Sequence, residues 1–353
     1  MLNLFSDPYL VLALAVGTGT VVLTLLVAAV IVYLRLDLRR RQRRAAQFLV
    51  LWRPLLLQAA AEGVLHEELP QLRHKDQFLF LKLWNYLQES LRGSANVSLS
   101  ELAKRLHCDA AARDFLKHGN RAERLLGILT LGHLHDEASW DMLTHHESQS
   151  DSLISIHAAR ALIKIDPLRG TKWLLPMLVE RRDWSIAQIA NFLGEARQAF
   201  WLELSKNLFA LKENQWPRAL QLADALRLEL SIRSILFILK HARLGSTLIA
   251  ALQLANDVRL LPAVRYFRHH SDWRIRVEVA WFLGKFGNTN DVDVLQYLLR
   301  DKHWWVRYQA AHALVDMPFF GPENLQLLRT STAEMQVIEM LEHVLAEHRS
   351  VMA

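Results

Sequence analysis

The sequence predicts an all-α protein: a single N-terminal transmembrane helix followed by an α-solenoid of about seven helical-hairpin repeats. Three observations predict it. Residues 9–34 form a run without a charge. Two copies of one phrase stand 31 residues apart near the other end of the chain. The composition is helical: Leu and Ala dominate, while 13 Gly and 9 Pro leave few turns for a sheet-rich fold of 353 residues.

Tyr9–Leu34, as a helix, would be about 39 Å long, enough to cross about 30 Å of hydrocarbon with some tilt. A signal peptide is the competing reading. No basic segment precedes the run, the run is too long, and the charges follow it rather than lead it. Within the run Ala13, Gly17, Thr20, Thr24 and Ala28 fall on one helix face, where a second membrane helix could approach closely.

The basic flank sets the orientation. Arg35, Arg39, Arg40, Arg41, Arg43 and Arg44 follow the span, with Asp37 among them, whereas residues 1–8 hold no Lys or Arg. Arginines resist translocation, so the N-terminus is expected outside and the large domain in the cytoplasm, with the arginines at anionic lipid headgroups. The stretch 35–44 carries +5, and residues 45–353 hold only +2 of the total +6. The high pI therefore belongs to the flank, and a nucleic-acid partner is not expected. Charged residues at 22% exclude a polytopic membrane protein, and the lone Cys108 excludes an internal disulfide and fits a reducing compartment.

Residues 45–65 suit either an interfacial helix on the bilayer or the first packed helix of the domain. Glu67–Lys75 is a polar break, and Asp76 is placed to cap a helix whose Phe78, Phe80, Leu81, Leu83, Trp84 and Leu87 form an apolar face. Gly93-Ser94-Ala95-Asn96 reads as a second break. Ser98–Leu106 has the cadence of a helix-turn-helix start, although Ser98 or Ser100 would equally cap an ordinary helix.

The repeats follow. Trp273-Arg274-Ile275-Arg276 through Ala280 to Leu283 aligns with Trp304-Trp305-Val306-Arg307 through Ala311 to Leu314. The terminal Leu recurs backwards at Leu252, Leu222, Leu193, Leu162 and Leu131. Three residues earlier stand Ala311, Ala280, Ile249, Ala219, Ala190, Ala159 and Ile128. Three residues later stand Met317, Phe286, Ala255, Ala225, Ala196, Ile165 and Leu134. This period signals stacked helical hairpins. Second helices are placed at Trp173–Leu178, Ile232–Leu239, Leu260–Phe267, Val292–Leu299 and Met335–Leu345, the last a terminal cap faced by Glu334, Glu339, Glu342 and Glu347. Gly194, Gly284 and Gly287 are expected at helix ends, where a left-handed residue is convenient.

The phrase resembles the first helix of a HEAT repeat, which carries V-R-x-x-A-A-x-A-L. Ile275-Arg276 with Ala280 and Leu283, and Val306-Arg307 with Ala310, Ala311, Ala313 and Leu314, carry the resemblance. The Arg recurs at Arg124, but Ser155, Ile186, Gln215 and Gly245 replace it elsewhere, so the middle units diverge. The expected divisions are 1–34, an outside tail and the membrane helix; 35–48, the Arg-rich juxtamembrane segment; 49–118, a helical region packing on the solenoid; 119–348, HEAT-like repeats; and 349–353, a tail.

Chemistry is not evident. No Gly-rich phosphate loop occurs outside the apolar run, and one Cys excludes thiolate zinc sites. His133-Leu134-His135-Asp136-Glu137 and His145-His146-Glu147 match no metal-ligand spacing. Ser152, Ser155 and His157 lie on a repeat helix that offers no oxyanion hole. No catalytic residue, metal or cofactor is expected. The resemblance implies binding along the second helices, where Arg265, Arg268 and Arg300 suit acidic groups. Trp273 and Trp304 share a repeat phase and read as structural. Trp281 stands where other units are mostly polar and, with Trp305, reads as a partner contact.

The expectation is a non-enzymatic scaffold in a bacterial inner membrane. Its repeats would hold a membrane protein partner of an envelope complex, a glycosyltransferase for exopolysaccharide being one instance. The alternatives are a receptor for an anionic ligand, a nucleotide second messenger or a lipid, using Arg181-Arg182-Asp183 or the 35–44 flank, and a HEAT-like lyase or glycosylase.

Overall fold

The computed structural model describes residues 8–62, 69–148 and 150–352. Among them there are helices and no strand. The expected outside tail falls mostly on residues 1–7, outside the described residues, as do residues 67–68 of the polar break. The chain divides into two compact units, residues 1–142 and 143–353.

In the first unit, α1 runs without a break from Pro8 to Glu62, about 80 Å at 1.5 Å per residue. It is the one described helix long and apolar enough to cross a membrane. No helix end falls at 34/35 or 48/49. Pro54 lies inside it, and the described side chains before Phe48 are almost all exposed. The far end packs: Phe48, Trp52, Leu56 and Ala59 are buried on one face against α2 (Gln77–Ser90) and α3 (Ser94–Arg105). Trp52 meets Phe80 edge-on at 5.0 Å. Of the two readings of residues 45–65, the packed helix is therefore the one found.

Asp76 occupies the N-cap position of α2 but its side chain caps nothing. The preceding 3₁₀ turn, His74–Asp76, leads the chain in with Asp76 already near helical angles. The break at 93–96 is shorter than expected. Gly93, at φ 73°, makes the turn and α3 starts at Ser94. Ser98 and Ser100 lie inside α3 and donate back to Ser94 O and Asn96 O instead of capping. Trp84 Nε1 donates to Leu99 O at 2.8 Å, and Asn85 Nδ2 donates to Thr130 Oγ1 at 2.8 Å. Thr130 lies on α5 (Arg121–Leu134), which packs closely on α4 (Cys108–His118). Gly127 permits that approach, since a Cβ there would lie 2.6 Å from Ala112 O.

α6 (Trp140–Glu147) leads into the second unit, which is built of hairpins. Their first helices are α7 (Ser152–Ile165), α9 (Ile186–Leu193), α11 (Trp216–Ala225), α13 (Gly245–Gln253), α15 (Trp273–Phe286) and α17 (Trp304–Asp316). Each packs on the next in that order. Their second helices are α8 (Pro167–Glu180), α10 (Arg197–Asn207), α12 (Ile232–His241), α14 (Leu261–Arg265), α16 (Val292–Leu298) and α18 (Pro322–Ser331). α14 is short because 3₁₀ turns, Val258–Leu260 and Tyr266–His269, flank it.

α19 (Met335–Met352) is not a second helix. It packs on α17, in the place of a further first helix, while α18 completes the last hairpin. The cap acids are not simply solvated: Glu334 pairs with Arg300, Glu342 with Arg329, and Glu347 accepts from Tyr308 Oη at 3.0 Å. α19 also takes in most of the expected tail at 349–353.

All seven phrase leucines, Leu131 to Leu314, are fully buried. Of the flanking positions, Ala190, Ile249 and Phe286 are half-buried and one is exposed. Ala225 is exposed and Leu226 is buried instead, because α11 ends there and Arg227 takes left-handed angles at φ 51°. Gly194 and Gly287 stand at helix ends as expected, but neither is left-handed, and Gly284 ends no helix. Gly194 has φ −54° and leads into a 3₁₀ turn. Gly287 caps α15 in extended conformation. Gly284 lies within α15, where a Cβ would come 2.7 Å from Ala313 Cβ. It is the small partner that lets α15 and α17 touch, so packing rather than dihedral freedom selects it.

Candidate interaction surface of the repeats

The phrase arginines build the frame. Arg276 is a planar fork matched to a carboxylate. Its Nε and Nη2 donate to Asp301 at 2.6 and 2.8 Å, and its Nη1 donates to the carbonyls of His270 and Ser271. Arg307 repeats the second contact in register, donating to the carbonyls of Asp301 and Lys302. Each guanidinium thus ties down the loop five and six residues before it. In the diverged α11 unit the position holds Gln215, whose Oε1 accepts from Lys212 N. Arg218, three residues on, donates to Leu178 O and Trp184 O. Burial of Asp301 opposes its charge, but the Arg276 hydrogen bonds prevail and hold its carboxyl below the usual range.

Exposed apolar groups recur on the second helices or in the turn that follows them. Fourteen residues after Leu222, Leu252 and Leu283 stand Leu236, Tyr266 and Tyr297. They are 39%, 82% and 52% exposed, where large apolar side chains normally turn inward. On the last hairpin Leu327 is exposed beside the buried Leu328. His269 bridges two of these hairpins, its ring meeting Tyr297 edge-on at 4.8 Å. The sequence reading missed this column because it followed only the first-helix phrase. Carrying the phrase leucine forward by fourteen reaches it in three units, while the same offset falls on His145, Pro176, Asn207 and the buried Leu328 in the others.

Of the predicted arginines, Arg265 ends α14, Arg268 lies in the 3₁₀ turn after it and Arg300 in the turn after α16, and they differ in commitment. Arg265 makes a bidentate pair with the fully buried Asp291, at 2.6 and 2.7 Å, and so anchors the turn before α16. Arg300 pairs with Glu334 at the surface. Arg268 donates to His269 Nε2. The three make no single patch of free charge. Arg181 is likewise engaged, by Asp183, by Glu147 O and by the Trp184 ring beneath it at 4.6 Å. Asp183 is consequently pushed down to about 2, chiefly by its hydrogen bonds from Arg181.

The tryptophans divide as follows. Trp273 stacks on His303 at 3.8 Å and is structural as read. Trp304, of the same phase, is 42% exposed and stacks on Tyr308, because the position equivalent to His303 is Glu334. Trp305 is 53% exposed and meets Trp304 edge-on at 4.7 Å. Trp281 is 37% exposed, with the Lys285 ammonium 5.2 Å from its ring centre. Both line a cleft of about 380 Å³ with Arg227, Asn256 and Asp257. Lys285 donates to Asn256 Oδ1 there. Trp281 and Trp305 belong to first helices and are not part of the Tyr266–Tyr297 column.

Gly17, Thr20, Thr24 and Ala28 lie exposed along α1, with nothing approaching Gly17. Thr20 and Thr24 return their hydroxyl hydrogens to the carbonyls one turn back. Arg35, Arg39, Arg40, Arg43 and Arg44 are exposed on the same helix, while the side chains of Ala13 and Arg41 lie outside the described residues. Ser155 is buried and accepts from Trp184 Nε1 at 3.1 Å. Among the described residues no three His, Cys, Asp or Glu side chains are grouped to hold a metal.

The family model for HEAT repeats matches residues 243–315 and, again, residues 260–345. No curated protein matches the chain.

Proposed function

With the chain a HEAT-repeat protein over residues 243–345, we propose a membrane-anchored, non-enzymatic scaffold whose repeats hold a partner protein at the membrane surface. Helical repeats of this kind present extended surfaces for protein interaction. The observation that carries the proposal is the exposed Leu236–Tyr266–Tyr297 column, repeated in phase on successive hairpins. Solvated surface would not select large apolar groups at one repeat position, whereas a docked protein would.

Anchoring is supported by the exposed apolar part of α1 and the arginines that follow it. Their order favours an N-terminus outside and repeats in the cytoplasm. A bacterial inner membrane is the setting we propose, and an envelope complex, such as one around an exopolysaccharide glycosyltransferase, is the kind of partner that placement would suit. Receptor and enzyme readings are less favoured, because Arg181, Arg265 and Ser155 are all engaged by internal partners.

Affinity purification of the full-length protein from membranes in mild detergent tests the proposal. A stoichiometric membrane protein is expected with it. Recovery of this chain alone would contradict the scaffold.

A further inference from the structure

We infer that the second-helix face takes an extended, acidic segment of the partner, with an apolar side chain at about every third residue. The inference rests on the scaffold reading and deepens it. Its first support is period. Leu236, Tyr266 and Tyr297 occupy one phase of three successive hairpins. Packed helices lie about 8–10 Å apart, and an extended polyproline-II chain advances about 3.1 Å per residue with three residues per turn, so that every third side chain faces the same way. A chain crossing the second helices therefore passes about three residues per hairpin, and one side chain in three meets the column.

The second support is charge. The segments 232–241, 261–270 and 292–300 carry Arg233, Lys240, Arg265, Arg268 and Arg300 against one acid, Asp293. Asp291 already neutralises Arg265, and Glu334 pairs with Arg300. Arg233, Lys240 and Arg268 have no ion pair among the described residues, and the first two are exposed. Apolar contacts flanked by unpaired cations suit a segment whose apolar side chains are separated by acidic ones. A single-stranded nucleic acid would share the charge logic but needs a planar group at each step. Leu236 and Leu327 offer none, so a polypeptide is favoured.

The test uses the full-length protein in detergent micelles and a fluorescent peptide built of Glu-Asp-Leu triplets. Controls are a Lys-Lys-Leu peptide and an oligothymidylate, all read by anisotropy. The acidic peptide should bind, weaken as salt is raised, and lose about tenfold or more in affinity with Tyr266→Ser/Tyr297→Ser. Arg233→Glu/Lys240→Glu should weaken it independently. All four positions are exposed or on the surface of the hairpins, and unchanged circular dichroism will show that the variants fold. Equal binding of the acidic and basic peptides, no binding, tighter binding of the oligothymidylate, or indifference to both variants would overturn the inference. Purification from membranes separates this failure from that of the scaffold. If the tyrosine variant still retrieves the same partner as the wild type, the scaffold stands and the acidic-segment inference falls.

Discussion

At residue scale, Arg276 is the side chain on which the best-formed repeats depend. It and Asp301 are 7% and 9% exposed, and the guanidinium also carries two loop carbonyls. Removing one partner strands the other, so Arg276→Ala should cost about 3 kcal/mol in urea unfolding. Arg276→Lys should recover only part, since an ammonium cannot fork. The pH dependence has a definite sign. The Asp301 carboxyl is held below its ordinary value, so its contribution is present above the unfolded value of about 3.9 and is lost as pH falls through the folded one. The gap between wild type and Arg276→Ala should therefore narrow in acid; a gap that stays constant below pH about 3 would contradict the pair. Cys108 gives an independent check. Burial, helped by Asp109, pushes its thiol up to about 12. It should react with a thiol reagent only as fast as the first unit opens, and fast labelling of the native protein would refute that burial.

At the scale of elements, contacts between first helices are set by small residues. Gly284→Ala drives a methyl into Ala313 and should destabilise by about 1–3 kcal/mol, with Ala313→Gly in the same chain restoring part of the loss in thermal unfolding. Trp52→Ala, at the buried end of α1, should cost about 3–5 kcal/mol, whereas an interfacial helix would lose almost nothing. Much of this scale was legible in the sequence. The phrase leucines marked every first helix because a spacing near 31 fixes them in one buried column. What stayed hidden depended on neighbours distant in sequence. Gly284 resembles a helix terminator until α17 is seen against it. Trp304 resembles Trp273 until Glu334 is found where His303 would stand. Ser98 and Ser100 resemble caps until Gly93 is found turning the chain earlier. The column of Leu236, Tyr266 and Tyr297 was present in the sequence at a constant offset, but only exposure distinguishes it from a second buried stripe.

At the scale of the molecule, one helix joins an exposed apolar segment, an arginine flank and a packed end. If α1 anchors the protein, alkaline extraction should leave the full chain with the membrane and release a variant lacking residues 9–34; release of both would remove the anchor. The central claim is that the repeats hold a partner through the second-helix face. A photo-crosslinking residue placed at Tyr297 in intact membranes tests it most directly, with the exposed first-helix position Gln221 as the comparison. The account predicts one discrete cross-linked protein from position 297 and none from position 221. No product from either position, or the same products from both, would contradict it.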